Sequence, residues 1–286
     1  MTDVLIATCA DLPRGDEDAD VLAAALTTRG LVAEWAVWDD PSVDWTGALV
    51  VIRSTWDYTP RRAEFLEWAR TVGRLHNPPE VLAWNSDKLY LRDLAGAGVP
   101  IVPTFWAAPG EPVTLPDTPE FVIKPSVGAG SRGAGRFTAE QADAARAHAA
   151  ALHDAGRTVM AQPYLSGVDA AGETALIYLD GRFSHAVRKA PMLPKGTVHD
   201  LSSYSLYVDE TIGARVPHEA ELAVGDAAMQ VLRTRFGGEL LYVRVDLLPG
   251  EDGPVVIELE ATEPSLFLVH ADGAAERLAA AIARRV

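Results

Sequence analysis

Short continuous apolar runs and longer stretches of helical spacing alternate along the first third of the chain. Val4–Ala7, Leu31–Val37 and Ala48–Arg53 are of strand length, while Glu17–Arg29 and Arg61–His76 read as helices. A further short run, Val81–Trp84, reads as a fourth strand. Alternation of this kind predicts a parallel sheet built from strand–helix units. In such sheets the residues that meet ligands sit just past the C-terminal ends of strands. Two stretches occupy that place: Cys9-Ala10-Asp11-Leu12, and Arg53-Ser54-Thr55-Trp56-Asp57-Tyr58.

From Asn85 the texture changes. Asn85-Ser86-Asp87-Lys88 reads as a helix start, with Gly98 before Pro100 as its stop. Thr104–Ala107 and Glu120–Pro125 are strand-like, and the second runs into Gly128-Ala129-Gly130-Ser131-Arg132-Gly133. Thr138-Ala139-Glu140-Gln141 is a capping box that opens an Ala-rich helix ending near Gly156. After a strand at Thr158–Gln162, Asp180-Gly181 marks a hairpin between Gly172–Leu179 and Arg182–Val187. Residues 191–216 lack periodicity and read as a long ordered loop or lid. A helix at His218–Phe236, a hairpin of Leu240–Leu247 with Val255–Glu260, and a terminal helix at Ala274–Arg285 complete the reading. The second part is thus mixed α+β with antiparallel pairs. The apolar terminal helix either caps the core or forms the seam of a homodimer.

Composition narrows the partners. The 286 residues can bury a sizeable core and hold about two units. Forty acids against 25 bases leave a net charge of −15, which argues against nucleic acid and against an anionic membrane. No apolar run approaches the length of a bilayer span. Asp3 and the lack of a basic leader argue against a signal peptide, and the lone Cys9 excludes an internal disulfide or a thiolate metal cluster. A cytoplasmic protein is expected.

Two constellations carry chemistry. Gly128, Gly130 and Gly133 match the G-x-G-x-x-G spacing, but the helix that follows starts only at Thr138, too late for a dinucleotide fingerprint. No Lys-Ser/Thr follows as in a P-loop, and no kinase signature lies downstream. What remains is a loop rich in backbone N–H after a strand ending in Lys124, able to wrap phosphate oxygens. A solvated hairpin loop is the ordinary alternative. In the second constellation, strand alternation puts Glu258 and Glu260 on one face, with Ile257 and Leu259 toward the core. A turn near Asp252 sets Asp246 opposite Glu258 and Arg244 opposite Glu260. Three carboxylates on one face repel unless a cation joins them, and hard oxygen ligands suit Mg²⁺. The plainer alternative is a solvent-facing charged ladder. Arg53 with Ser54 and Thr55 reads either as a carboxylate-gripping corner or as a salt bridge. His185 and His270 read as structural, Trp56 and Tyr58 as packing residues, and Cys9 as a small core residue.

Taken in order, Asn-Ser-Asp-Lys88, Phe-Val-Ile-Lys124-Pro with its Gly/Ser loop, Gln162-Pro-Tyr-Leu165, Arg244-Val-Asp246 and Glu258-Leu-Glu260 resemble the ATP-grasp superfamily over essentially the whole chain. The resemblance implies a Rossmann-like N-terminal domain (1–85) on the substrate side, a central subdomain with the Gly-rich loop (86–162) and a C-terminal subdomain with the metal site (163–286). The two α+β subdomains would clamp ATP. Lys88, Lys124, Ser126, Gly128, Gly130 and Ser131 would hold its phosphates. Gln162, Pro163 and Leu165 would face adenine, and Asp169 the ribose. Asp246, Glu258 and Glu260 would bind two Mg²⁺, with an acid at 260 where many members carry Asn. Arg244 would stabilise the oxyanion, together with Lys124 as the catalytic cations. Arg53, Ser54, Thr55, Arg188, Arg244 and Ser265 would meet the substrate.

Arg-Ser-Thr-Trp-Asp-Tyr58, Val-Arg-Lys-Ala-Pro191 and Glu-Pro-Ser-Leu-Phe-Leu268 resemble a subgroup that includes the cycloserine-forming cyclo-ligase. The resemblance implies phosphorylation of a small amino-acid-like carboxylate by ATP, then C–N bond formation, intramolecular as in closure of O-ureido-serine or between two substrates. A non-catalytic ATP-binding module and a nicotinamide oxidoreductase are the rival classes.

Overall fold

The computed structural model describes residues 2–191, 193–199 and 211–286. Strands β1 (Val4–Thr8), β2 (Ala33–Val37), β3 (Leu49–Ile52) and β4 (Leu75–His76) form a parallel sheet in the order β2-β1-β3-β4, with α1 (Ala19–Thr28) and α2 (Arg62–Thr71) as crossovers. β1 and β3 are buried along their whole length, which is why their sequences are unbroken apolar runs. The expected helix over Arg61–His76 ends early. Val72 is already extended, and Gly73 passes so close to the Thr46 carbonyl that a Cβ there would lie 2.8 Å from it. Leu75 and His76 then join β3 as the edge strand. Val81–Trp84 is not a strand. It lies in α3 (Pro79–Asn85), where Pro79 in the first turn forfeits no helical hydrogen bond and Val81, Leu82 and Asn85 share the buried face.

α4 (Tyr90–Gly96) leads to a second, antiparallel sheet in the order β5-β8-β6-β7, made of β5 (Phe105–Ala107), β6 (Glu120–Pro125), β7 (Gly135–Thr138) and β8 (Val159–Pro163), backed by α5 (Ala142–Asp154). The Thr138–Gln141 capping box is present. β7 escaped the sequence reading because it has only four residues, begins with Gly and carries Arg136. The glycine-rich loop joins β6 to β7. Residues 197–199 run along the outer edge of β7, with Arg136 N–H on the Thr197 carbonyl at 2.9 Å.

The third sheet is antiparallel, in the order β11-β10-β9-β12-β13. After α6 (Gly167–Ala171), β9 (Glu173–Leu179) and β10 (Arg182–Lys189) meet at a two-residue turn in which Asp180 (φ 51°) and Gly181 (φ 72°) are both left-handed. Of the expected 191–216 lid, residues 192 and 200–210 lie outside the described residues. Within its remainder, β11 (Ile212–Arg215) extends the sheet beside β10. α7 (Glu219–Phe236) packs on β12 (Tyr242–Gly250) and β13 (Gly253–Glu260). The last helix, α8 (Ala274–Ala283), lays its apolar face on α1 and on β9 and β10, so it caps the core.

In the β12–β13 hairpin Arg244 stands opposite Glu260 and Asp246 opposite Glu258, as expected, but by a different route. The turn centres between Glu251 and Asp252, and a bulge adds one residue between Val256 and Glu258. That extra residue is Ile257, which lines a cavity and does not enter the core. Val256 and Leu259 fill the core on either side of it.

Candidate active site

The three sheets meet around a cavity of about 670 Å³. Its charged wall is built from facing strand pairs. β9 and β10 set Glu173 opposite Lys189, and β12 and β13 set Arg244 and Asp246 opposite Glu260 and Glu258. β13 is the edge of its sheet, yet its backbone is paired. Val256 bonds to residues 100 and 102, the Leu259 N–H donates to the Tyr90 hydroxyl, and the Asn85 amide grips the Leu259 carbonyl and the Ala261 N–H. The strand that carries Glu258 and Glu260 is therefore fixed from both sides.

Cations thread these carboxylates. Arg244 donates to both oxygens of Asp246 (2.8–3.1 Å) and to Glu260 (2.5 Å). Lys189 bridges Glu173 (2.5 Å) and Asp246 (3.3 Å). Lys88, between α3 and α4, reaches Glu258 at 2.8 Å and the Gly128 carbonyl at 2.6 Å, and so ties the glycine-rich loop to the charged wall. Lys124 enters from β6. The loop turns at Gly130, Ser131 and Gly133, all at positive φ, and Arg132 donates to Thr59 of the N-terminal unit at 3.3 Å. The loop thus closes over the cavity.

The charges respond to this crowding. Burial, with repulsion from Lys88, pushes the Lys124 ammonium down to about 8. Burial also opposes charge on Lys88 and Glu258, yet their mutual attraction wins. It holds Lys88 above the usual lysine range and Glu258 below the usual carboxylate range. Asp246, also penalised by burial, is held low by Arg244 and Lys189. Glu173 and Glu260 are pushed up to about 7, chiefly by burial, and Glu263 to about 8 by burial and by the charge of Glu260.

The cavity brings together many residues expected from sequence: Lys88, Lys124, Gly128, Gly130, Ser131, Gln162, Pro163, Leu165, Arg244, Glu258, Glu260 and Ser265 all line it. Gln162 is held with its amide nitrogen on the Thr104 hydroxyl at 2.8 Å. Others stand elsewhere. Ser126 is buried beside the wall, its backbone pairing with Lys88 and Thr158. Asp169 accepts the Tyr164 hydroxyl at 2.5 Å outside the lining. Asp246 lies behind the charged wall with both oxygens taken.

Arg53, Ser54 and Thr55 are fully buried and do not reach the cavity. The Arg53 guanidinium lies between Asp16 and Asp18 at 3.4 and 3.5 Å and donates to the Pro264 carbonyl at 2.7 Å, while the Ser54 hydroxyl pairs with Thr8. Arg188 donates to the Ala170 and Ala171 carbonyls at the end of α6, away from the cavity. Strand alternation sends its neighbour Lys189 inward. Sequence reasoning missed Lys189, Glu173, Glu263 and Tyr58. No local signal pointed to Lys189: the two-residue turn alone would set Arg188 opposite Glu173, and a bulge between Phe183 and His185 brings Lys189 there instead.

Among the described residues, no group of three or more His, Cys, Asp or Glu side chains is gathered to hold a metal ion; Glu173, Asp246, Glu258 and Glu260 are each drawn to a cation. The donor chemistry still fits Mg²⁺. Glu258 and Glu260 present hard oxygens to the cavity, about a quarter of each side chain exposed, next to the loop and lysines that suit phosphate. No helix among the described residues is long and apolar enough to cross a membrane.

The same fold occurs in known proteins. The D-cycloserine synthetase DcsG N-terminal domain family matches residues 4–77. The cycloserine biosynthesis protein DcsG of Streptomyces lavendulae is 39% identical over 95% of this chain and 94% of its own length. The crystal structure of D-cycloserine synthetase DcsG superposes with a TM-score of 0.88 at 38% identity, covering 99% of both chains. A D-alanine–D-alanine ligase from Bacillus anthracis shares the fold alone, with a TM-score of 0.62 at 14% identity over 100% of this chain and 97% of its own. The continuity of the match from the parallel sheet to the carboxylate hairpin places this chain in the DcsG family of ATP-grasp ligases.

Proposed function

We propose that the protein uses ATP to activate the carboxylate of an O-ureido-serine-like amino acid and closes it onto a nitrogen of the same molecule. The carrying observation is one cavity that unites a glycine-rich loop, the buried Lys88, the half-buried Lys124 and a wall of Arg244, Glu258 and Glu260. No side chain in it is an activated nucleophile, so positioning and charge neutralisation carry the chemistry. A substrate carboxylate oxygen attacks the γ-phosphorus and the bond to ADP breaks. The nitrogen lone pair then attacks the acyl carbon, phosphate leaves with the C–O bonding electrons, and the nitrogen gives up a proton.

In this reading Lys88 and Lys124 bind phosphate oxygens, and the N–H groups of residues 128–133 wrap them. Gln162, Pro163 and Leu165 take the adenine side, with Asp169 near the ribose. Arg244 meets the oxyanion at the acyl carbon, and Ser265 lines the substrate end. Glu258 and Glu260 would hold Mg²⁺, which when bound offsets the phosphate charge. A second ion shared with Asp246 requires that side chain to turn away from Arg244 and Lys189. Arg53, Ser54 and Thr55 serve the site from behind, while Arg188 braces the end of α6. A closed cavity matters because an acyl phosphate hydrolyses readily.

The test is ADP release with O-ureido-D-serine as sole substrate, with mass detection of the cyclised product and hydroxylamine to trap the acyl phosphate. ADP release only when two separate amino acids are present would replace this reading with an intermolecular ligase. No ADP release with any carboxylate, despite ATP binding, would favour a binding module.

A further inference from the structure

The segment Glu263-Pro264-Ser265 follows β13 and forms the end of the cavity that faces the N-terminal unit. Its three consecutive carbonyls are each held by a side chain from a distant part of the chain. Trp56 Nε1 donates to the Glu263 carbonyl at 3.0 Å, Arg53 to Pro264 at 2.7 Å, and Arg244 to Ser265 at 3.1 Å. The buried Tyr58 lines the cavity with Glu263 and turns its hydroxyl toward that carboxylate. Three residues of Arg53-Ser-Thr-Trp56-Asp-Tyr58 thus converge on one acid and its peptide units. That is far more restraint than a solvent-facing loop needs.

The carboxylates of the charged wall, Glu173, Asp246, Glu258 and Glu260, are each engaged by Lys189, Arg244 or Lys88. Glu263 shares the cavity with them, yet among the described residues it forms no salt bridge; its neighbours are the Tyr58 phenol and, farther off, Lys88. An amino acid at neutral pH carries its own cation. With its carboxylate directed to Arg244, which also holds the Ser265 carbonyl, its α-ammonium one carbon away falls at the same end of the cavity as Glu263.

We infer that Glu263, presented by Arg53, Trp56 and Tyr58, is the residue that receives the α-ammonium group of the substrate, and so selects amino acids over other carboxylates. Glu263 is then a substrate-binding residue, and Arg53, Trp56 and Tyr58 are positioning residues. The inference rests on the proposed ligase reading and adds the orientation of the substrate to it. A cation also relieves the burial and the Glu260 repulsion that weigh on the Glu263 carboxylate.

The experiment compares O-ureido-D-serine with its deamino analogue, 3-(ureidooxy)propanoate, in the full-length wild type, E263Q and Y58F, following ADP release and ATP-dependent thermal stabilisation. Wild type should prefer the amino compound in kcat/KM by at least roughly tenfold, mostly through KM. E263Q should bring the ratio of the two substrates close to one, and Y58F should lower it by a smaller factor. Both variants should keep the wild-type KM for ATP. Discrimination in E263Q equal to wild type, or a wild type indifferent to the amino group, would overturn the inference. If E263Q does not fold, Y58F carries the decision: an unchanged ratio there overturns it too. Wild type with no ADP release on O-ureido-D-serine means that the ligase reading has failed. Calorimetric binding of the two compounds to the ATP-analogue complex then decides the ammonium site by itself, and equal affinities would refute it.

Discussion

Lys124 shows at the scale of one residue how function opposes stability. Its ammonium sits beside Lys88 in a cavity wall, and burial pushes it down to about 8 from an ordinary 10.5. The folded chain therefore releases this proton at lower pH than the unfolded chain does. The resulting penalty is full below about pH 8 and fades as the pH rises toward 10.5. In the nucleotide-free protein, wild type should gain stability relative to Lys124→Met between pH 8 and 10, read as the difference in melting midpoint. A flat difference across that range would refute the placement. The same titration should appear in catalysis with the opposite sign. Above about pH 8 the free enzyme loses the charge proposed to meet phosphate, so kcat/KM for ATP should fall. Lys124→Arg, which stays charged, should flatten that limb. Arg53 is the contrasting case. It has no reach into the cavity, and its charge is matched to the buried Asp16 and Asp18. Arg53→Met leaves those acids uncompensated, a loss of about 3–5 kcal/mol for a broken buried pair. At about 2–4 °C per kcal/mol the melting midpoint should drop by roughly 6–20 °C. A substitution that spared stability but abolished substrate binding would restore the gripping role expected from sequence.

At the scale of elements, the β12–β13 hairpin does most to build the site. Strand alternation alone puts Glu258 and Glu260 on one face, and the register follows from a short connection, so Arg244 and Asp246 were legible as their partners. The bulge was not legible. A hairpin with its turn near Asp252 and no bulge yields the same four-residue pairing, and the two cases differ only in where Ile257 goes. In the structure Ile257 lines the cavity beside Val122 and Leu248. Ile257→Ala should therefore weaken nucleotide binding by about 1 kcal/mol for the apolar surface lost, roughly fivefold. Melting without nucleotide should stay near wild type. A loss of nucleotide-free stability with unchanged KM for ATP would return Ile257 to the core. The β9–β10 hairpin follows the same logic. A bulge between Phe183 and His185 sets Lys189 opposite Glu173 and turns Arg188 away, where an unbulged two-residue turn would pair Arg188 with Glu173.

At the scale of the whole molecule, the cavity draws on all three sheets, and binding should couple them. Saturating ATP with Mg²⁺ should stabilise wild type by about 2.7 kcal/mol at a hundredfold excess over Kd. Glu258→Gln should blunt that gain, because it removes both the proposed metal oxygen and the partner of Lys88. Thermal melts with ATP, with Mg²⁺ and with both give the answer. Equal stabilisation of mutant and wild type by the pair would sink the metal role of Glu258. The terminal helix α8 belongs to this scale as well. Its apolar face lies on α1 and the third sheet, so the last residues of the chain close the core begun by the first.

The sequence by itself determined what depends on neighbours in the chain: the strand–helix alternation, the turn at Asp180-Gly181, the cap at Thr138, and the carboxylate face of β13. These rest on period, turn chemistry and local register, which act over a few residues. The ordered motif series added the family, because its spacing survives divergence. Only the tertiary structure decided which charged groups meet. Arg53 finds Pro264 across 211 positions and Asn85 finds Leu259 across 174, separations at which no local pattern operates. Whether a buried arginine grips a substrate or a loop depends on what the fold packs against it, since an unpaired buried charge costs more than either contact returns.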